Sequence, residues 1–490
     1  MNHKRLLAAI AVILAASAWP AAQQAPAKQA PAQPRAMPTD IIQRPWKGDF
    51  DGMLELRRVR VLAPFSRTFF FNELGRERGY SADLVRVVEK YLNTKLAGQL
   101  GKRPLTFVFI PTTREKLISG VVDGIGDIAV NLGVSESRKQ LVDFITAPDA
   151  PLLAEVVLTG PTAPAVATID DLAGKTVHAR PSSLYHEDLV ALNARFKKEG
   201  KPQVNIVAVP DALEDEDMME MLNLGILQII VVDDLVANMW APVLPKIKVH
   251  SGMVLRRDAA VGWAIRKNSP LLQKTVMDAY VNAIQKTPKN LDDRIARYKG
   301  RVRQLQNPTG SADYKRYEAT IGLFKKYGAQ YHFDPLMLAA QGFQESNLNQ
   351  EARSPVGAIG IMQVMPATGA ELQVGDITVA ESNVHAGTKY MNQLMAREYP
   401  DAKFDDTNRT LFAFAAYNCG PGNMSKIRKA AAERGLDPNV WFNNVEVMTA
   451  EKIGIETTTY VRNIYKYYVS YKLMDEARAA QKSARETIKK

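Results

Sequence analysis

Residues 334–369, DPLMLAAQGFQESNLNQEARSPVGAIGIMQVMPATG, read as a capped helix followed by a loop punctuated by glycine and proline. Asp334 can cap with its carboxylate, and Pro335 suits the first helical position, where its missing N–H is not needed. Leu338, Gly342 and Glu345 follow at i, i+4 and i+7 and so share one face. Gln341 is the only other polar side chain near that face. Glu345 therefore projects where Leu or Ala would be expected. Burial disfavours its charged form, and so does the partial negative charge of the helix C-terminus signalled by Ser346 and Asn347. A Glu held neutral near pH 7 can serve as a general acid. From the helix alone, a Glu that turns out to solvent remains the alternative.

The loop bears on that choice. Ser354, Pro355, Gly357, Gly360, Gln363 and Pro366 place neutral hydrogen-bonding groups and close-approach glycines beside a single acid, which suits a sugar better than a phosphate or a metal. Glu345-Ser346, Ser354-Pro355-Val356-Gly357-Ala358, Gly360-Ile361-Met362-Gln363 and Met365-Pro366-Ala367-Thr368-Gly369 together resemble the soluble-lytic-transglycosylase (lysozyme-like) family. Two later segments agree with it. The apolar run 411–416 ends at Tyr417-Asn418-Cys419-Gly420-Pro421-Gly422, by itself only a helix stop, but similar to the family's Ala-Tyr-Asn motif. Glu456-Thr457-Thr458-Thr459-Tyr460-Val461 places Glu456 and Tyr460 four apart on one helix face. The departures are small: Cys419 where Ala is usual, Leu348 where an aromatic is frequent, Gln350 for Pro and Ile361 for Leu.

The resemblance implies that Glu345 is catalytic and that Ser354, Gln363, Met365, Tyr417, Asn418 and Tyr460 contact substrate. An ordinary glycosidase needs two carboxylates, yet no motif singles out a second among Glu351, Glu371, Asp376 and Glu381. The family's reaction accounts for this. One Glu protonates the oxygen between N-acetylmuramic acid and N-acetylglucosamine, then helps take the proton from the muramic acid 6-hydroxyl, which closes a 1,6-anhydro ring without consuming water.

The chain has 490 residues, with 46% hydrophobic and 23% charged residues, as in soluble proteins of two or three domains. Its net charge of +11 and pI of about 9.4 favour an anionic partner such as an acidic cell-wall polymer. No Lys/Arg run with interleaved aromatics supports nucleic acid. A single cysteine, Cys419, excludes an intramolecular disulfide and a multi-cysteine zinc site. Six scattered His argue against any metal, and no cofactor is expected.

Residues 1–22 read as a signal peptide, with Lys4 and Arg5 before an apolar core too short to span a bilayer. The expected location is the periplasm, soluble or peripheral at the outer membrane. No cysteine near the cleavage options supports a lipid anchor. Residues 23–49 form a Pro/Ala/Gln-rich linker. From 50 to 295, strand-length apolar runs alternate with helical patterns, and 229–232 reads as a parallel strand buried on both faces. This block resembles the amino-acid-binding (family 3) periplasmic solute-binding proteins at Gly79-Tyr80-Ser81-Ala82-Asp83-Leu84, Asp123-Gly124-Ile125-Gly126-Asp127-Ile128, Ser135-Glu136-Ser137-Arg138 and Asp233-Asp234. The resemblance implies that Arg138 grips a ligand carboxylate and Asp233 an amine, the ligand being an amino acid or a muropeptide. A purely structural ion-pair role for both stays open, and Gly133 stands where the family often has a hydroxyl. Residues 296–311 form a second linker, and 312–490 is nearly all helical. The aromatic stripe Tyr317, Ile321, Phe324, Tyr327 and Tyr331 reads as core.

The expected fold class is thus multidomain α/β plus α: a two-lobed binding-protein-like domain followed by a mainly α-helical lysozyme-like domain. The expected function is peptidoglycan lytic transglycosylase with an N-terminal ligand-binding regulatory module. An exported murein- or amino-acid-binding sensor without catalysis and a hydrolytic muramidase are the alternatives.

Overall fold

The computed structural model describes residues 45–73, 76–146, 152–284, 307 and 310–488. The expected signal segment and most of both linkers lie outside the described residues. Twelve strands run through the first half of the described chain: β1 (Arg58–Ala63), β2 (Phe71–Glu73), β3 (Arg76–Arg78), β4 (Thr106–Pro111), β5 (Ile128–Gly133), β6 (Val142–Ile145), β7 (Leu153–Thr159), β8 (Thr176–Ala179), β9 (Asn205–Ala208), β10 (Ile229–Asp233), β11 (Lys248–Ala259) and β12 (Val261–Arg266). They form two five-stranded sheets, ordered β4-β1-β5-β12-β6 and β11-β7-β10-β8-β9, with β2-β3 as a separate hairpin. The chain builds most of the first sheet, crosses to build the second, and returns at Ala260 so that β12 fills a gap in the first. Each sheet is thus one lobe, and a cleft lies between them.

The first sheet is parallel across β4-β1-β5, and β12 is antiparallel to both β5 and β6. All of β1 is buried, including Arg60. That charge is held by Asp127, which accepts from the Arg60 backbone N–H at 2.8 Å and from its guanidinium at 2.7 Å. A buried guanidinium is tolerable only with such a partner. Asp127, part of the binding-protein resemblance, is therefore a structural anion.

The strand 229–232 is buried as expected. It is parallel to β8 but antiparallel to β7, so the sheet is mixed rather than parallel. The reason is the return path: β7 and β11 pair as a long antiparallel ribbon that closes the second lobe.

From Ser311 the chain is helical. Its core gathers Phe324, Phe343, Phe412, Phe414 and Trp441, all fully buried. Tyr317, Phe324 and Tyr327 of the aromatic stripe are in that core; Ile321 and Tyr331 pack against it partly buried.

The two halves meet through a buried charged junction. The Asp215–Asn223 helix of the second lobe presents Asp217 and Glu220 to the Ile455–Ile488 helix. Arg462 donates to Asp217 and to Glu446, each at 2.9 Å, and Lys466 bonds Glu220. Arg67 from the first lobe joins at 2.6 Å from Asp217 and 3.0 Å from Glu220. Tyr465, Tyr468 and Val469 pack onto the apolar cluster of the second lobe. Tyr465 and Tyr468 therefore serve a domain junction.

Candidate active site and ligand cleft

The Pro335–Ser346 helix starts as its sequence dictates: Asp334 accepts from the backbone N–H of Leu336 at 2.7 Å and of Met337 at 3.4 Å, with Pro335 first in the helix. It ends where Asn347 and Leu348 take left-handed backbone angles, φ 56° and 58°. Gly342 is needed on the inner face. A Cβ there would sit 3.0 Å from both Ile361 and Phe324 and 3.1 Å from Leu348. This close packing sets the last turn of the helix against the loop, and Ser346 Oγ fastens it by donating to the Ile361 carbonyl at 2.9 Å.

Glu345 occupies that last turn and is half-buried. Loss of hydration pushes its carboxyl up from 4.5 to about 7, against the opposing effect of the Tyr460 hydroxyl, which donates to Oε1 and favours the charged form. Burial first, and then the nearby Glu345, raise the Tyr417 phenol well above its usual range. Gln341, one turn before Glu345, is fully buried and its Nε2 lies 3.5 Å from the Tyr460 oxygen. Glu345, Tyr460, Tyr417 and Gln341 are thus brought together from three separate helices.

The loop residues are placed differently. Ser354 is half-buried and its Oγ accepts from the Ala358 N–H at 2.9 Å, closing a small turn. Gln363 has φ 47°, and its Nε2 donates to the Gly360 carbonyl at 2.9 Å. Met365 is 41% exposed at the start of the Pro366–Leu372 helix. The Tyr417 hydroxyl donates to the Met362 carbonyl at 2.8 Å, which ties the loop to the helix behind it. Asn418 is exposed and accepts from Thr457 Oγ1 at 2.8 Å.

One organising residue escaped the sequence reading. Asn383 is fully buried, accepts from Met362 N–H at 2.8 Å and donates to the carbonyls of Ile359 at 2.8 Å and Ile377 at 3.0 Å. It holds the whole loop from beneath. Gly360 makes room for it, since a Cβ there would lie 2.6 Å from Asn383 Nδ2. The available signal was an Asn among the apolar positions of the Ala380–Glu398 helix.

In the cleft between the lobes, Arg138 follows the Ser135 cap of its helix. Its guanidinium is already engaged, donating to Glu187 at 2.9 Å, the Gly133 carbonyl at 3.0 Å and the Ser182 carbonyl at 2.9 Å. Gly133 has a packing reason: a Cβ would lie 2.8 Å from Leu184. Arg114 forks onto Glu214, and Arg180 bonds Asp215. Asp233 ends β10, and burial together with Asp215 raises its carboxyl to about 7. Across the strands Asp233 faces Glu155, which in turn faces Arg256.

The segment 322–439 matches the model of the Transglycosylase SLT domain, as the motifs from Glu345 to Tyr417 imply. A membrane-bound lytic murein transglycosylase F of Pseudomonas fluorescens is 26% identical over 436 residues, 84% of each chain. The protein of the same description from Desulfosudis oleivorans is 26% identical over 378 residues, 72% of this chain and 79% of its own. Among solved structures, an ancestral arginine-binding protein bound to arginine aligns with 50% of this chain and 96% of its own at 21% identity and a TM-score of 0.37. Over most of its length this chain is similar to the lytic murein transglycosylase F proteins, with the SLT match falling on its helical half.

Proposed function

We propose that this protein is a peptidoglycan lytic transglycosylase in which Glu345 acts alone as acid and then base. The observation that carries the reading is a carboxyl at a helix end, raised to about 7, whose acidity is governed by burial and by one neutral hydroxyl. A group poised near neutrality can give a proton and take one back in successive steps. Glu345 in its acid form protonates the glycosidic oxygen between N-acetylmuramic acid and N-acetylglucosamine. The resulting carboxylate, stabilised by the Tyr460 hydroxyl, receives the proton of the muramic acid 6-hydroxyl as that oxygen closes on its own anomeric carbon. The product end is 1,6-anhydro-N-acetylmuramic acid. Retaining and inverting hydrolysis both call on a second carboxylate, and no carboxylate charge contributes to the raised pKa of Glu345.

Ser354, Gln363, Met365, Tyr417, Asn418 and Tyr460 supply neutral contacts along the sugar, with Tyr417 and Tyr460 nearest the reacting bond. The domains run 50–295 and 312–490, after a signal peptide at 1–22. The protein works in the periplasm, and the first domain takes a small ligand. No described helix is long and apolar enough to cross a membrane. Digestion of purified sacculi followed by product mass analysis tests the reading. Anhydro products are expected, and products heavier by one water would identify a hydrolytic muramidase instead. Binding of sacculi without any release would leave a sensor.

A further inference from the structure

The ionisable groups of the interlobe cleft do not all pair: its arginines are each taken up by an acid, and carboxyls remain. Arg138, Arg114 and Arg180 are each matched by their own acid: Glu187, Glu214 and Asp215. Two carboxyls are left, Glu155 and Asp233, and both line the cavity with Arg138 and Tyr185. Glu155 is fully buried, and neither of its oxygens meets a donor in hydrogen-bond geometry among the described residues, Asp188 being the carboxyl near enough to share its proton. Its strand register places it directly opposite Asp233. Like-charged groups directly opposite on neighbouring strands repel, and a buried carboxyl without a partner is costly. Around the pair stand Asp188 on the neighbouring helix, itself bonded to Arg256, with Asp215 and Tyr185 beyond Asp233.

A second cavity continues past Asp233 through Phe69, Asn131 and Val261. Its further walls are mainly apolar and aromatic, among them Tyr80, Leu84, Trp263 and Tyr280. The described residues hold no cluster of His, Cys, Asp and Glu suited to a metal ion.

We propose that the cleft binds a cationic amine carried on an apolar chain, and that it does so without a carboxylate anchor. The ammonium lies between Glu155 and Asp233, and the chain extends under Trp263 and Tyr280. Arg138 is an interlobe latch: the carboxylate it holds is the protein's own Glu187. This deepens the reading of the first domain as a ligand-binding module.

The test is calorimetric titration of the full chain with two matched pairs, L-lysine with cadaverine and L-arginine with agmatine, and with L-glutamate and N,N′-diacetylcadaverine as controls. Each decarboxylated amine should bind within about threefold of its parent amino acid, whereas losing a charge-assisted bidentate grip would cost about tenfold or more. Neither control should bind. Glu155→Gln and Asp233→Asn should each weaken cadaverine about tenfold or more. Arg138→Gln loosens the latch and should change cadaverine and L-lysine affinity by the same factor, within about threefold, whereas loss of a carboxylate grip would weaken L-lysine alone. Thermal unfolding of each ligand-free variant separates lost binding from lost folding, and either carboxyl variant suffices if the other does not fold. Amino acids binding more than tenfold tighter than their decarboxylated partners, with lysine binding lost in Arg138→Gln, would overturn the proposal, as would no binding by any of the four. These outcomes are read without catalysis, so they are independent of sacculus digestion.

Discussion

Burial raises several carboxyls in this molecule, and the surroundings of two of them, Glu345 and Glu155, differ in kind. Glu345 sits at a helix end with a neutral tyrosine hydroxyl on its oxygen, and its pKa moves to about 7. Glu155 sits in the middle of a sheet, where burial first and then the neighbouring Asp188, near enough to share its proton, and Asp233 move its pKa to about 9. A neutral donor beside a desolvated acid holds the group where both protonation states are accessible near pH 7. Other carboxyls beside it hold the proton on until a cation arrives. The first arrangement suits proton transfer and the second suits binding.

The largest effect is expected where the proton is exchanged. Glu345→Gln keeps the shape and removes the acid, so sacculus cleavage should fall about a thousandfold, as followed by soluble product release. The same substitution should stabilise the fold at alkaline pH. Because the folded pKa is raised above the unfolded value, folding favours the protonated form. Wild-type stability therefore declines, relative to the variant, as pH rises from about 4.5 through about 7. The gap should approach about 3 kcal/mol above pH 8 and vanish below pH 4. Urea unfolding of both proteins across that range measures it. A variant that loses activity and stability together would mean that Glu345 is structural.

Much of this site is legible from residues alone, because its logic is local. Asp334, Pro335, Gly342 and Glu345 declare a capped helix, a close contact and an acid on the inner face within twelve positions. The lobes are legible where apolar runs are dense, as at Ile229–Asp233. They are not legible at β11, where Arg256 and Asp258 interrupt the pattern and pairing to β7 proceeds through bulges. Asn383 and the Arg462 junction were missed for one shared reason. Each buries a polar group whose partners lie far away in sequence, and periodicity carries no record of them. Gly133 shows the converse: its absent side chain weakened the case for a ligand carboxylate, and the space it leaves is filled by Leu184.

The domain junction is the next place to disturb. Arg462 lies two residues beyond Tyr460 on the same helix and is buried between Asp217 and Glu446. Arg462→Met would leave those acids short of a partner, costing about 3–5 kcal/mol in chemical unfolding. A loss below 1 kcal/mol would show that Arg67 and Lys466 neutralise Asp217 without it. Tyr460→Phe is a smaller and more local change. Its hydroxyl favours ionised Glu345, so removal raises that pKa further. The alkaline limb of the pH–rate profile should move up by about one unit, with a lower rate throughout. A limb moving down would mean that the hydroxyl instead supports the protonated acid.

The smallest signal is the most direct link between the two carboxyl environments. At pH 7 Glu155 is protonated and Asp233 is near half-protonated. An ammonium between them favours both charged forms, so binding should expel up to one proton from Glu155 and about half of one from Asp233. Titration of cadaverine in two buffers of different ionisation enthalpy reads that release, and affinity should climb between pH 6 and pH 9. Neither Glu345→Gln nor Tyr460→Phe should alter the proton count, since neither residue faces the cleft. In Glu155→Gln the release should shrink to the share of Asp233, and its slope should centre near pH 7. Release that persists in full would place the bound cation away from Glu155.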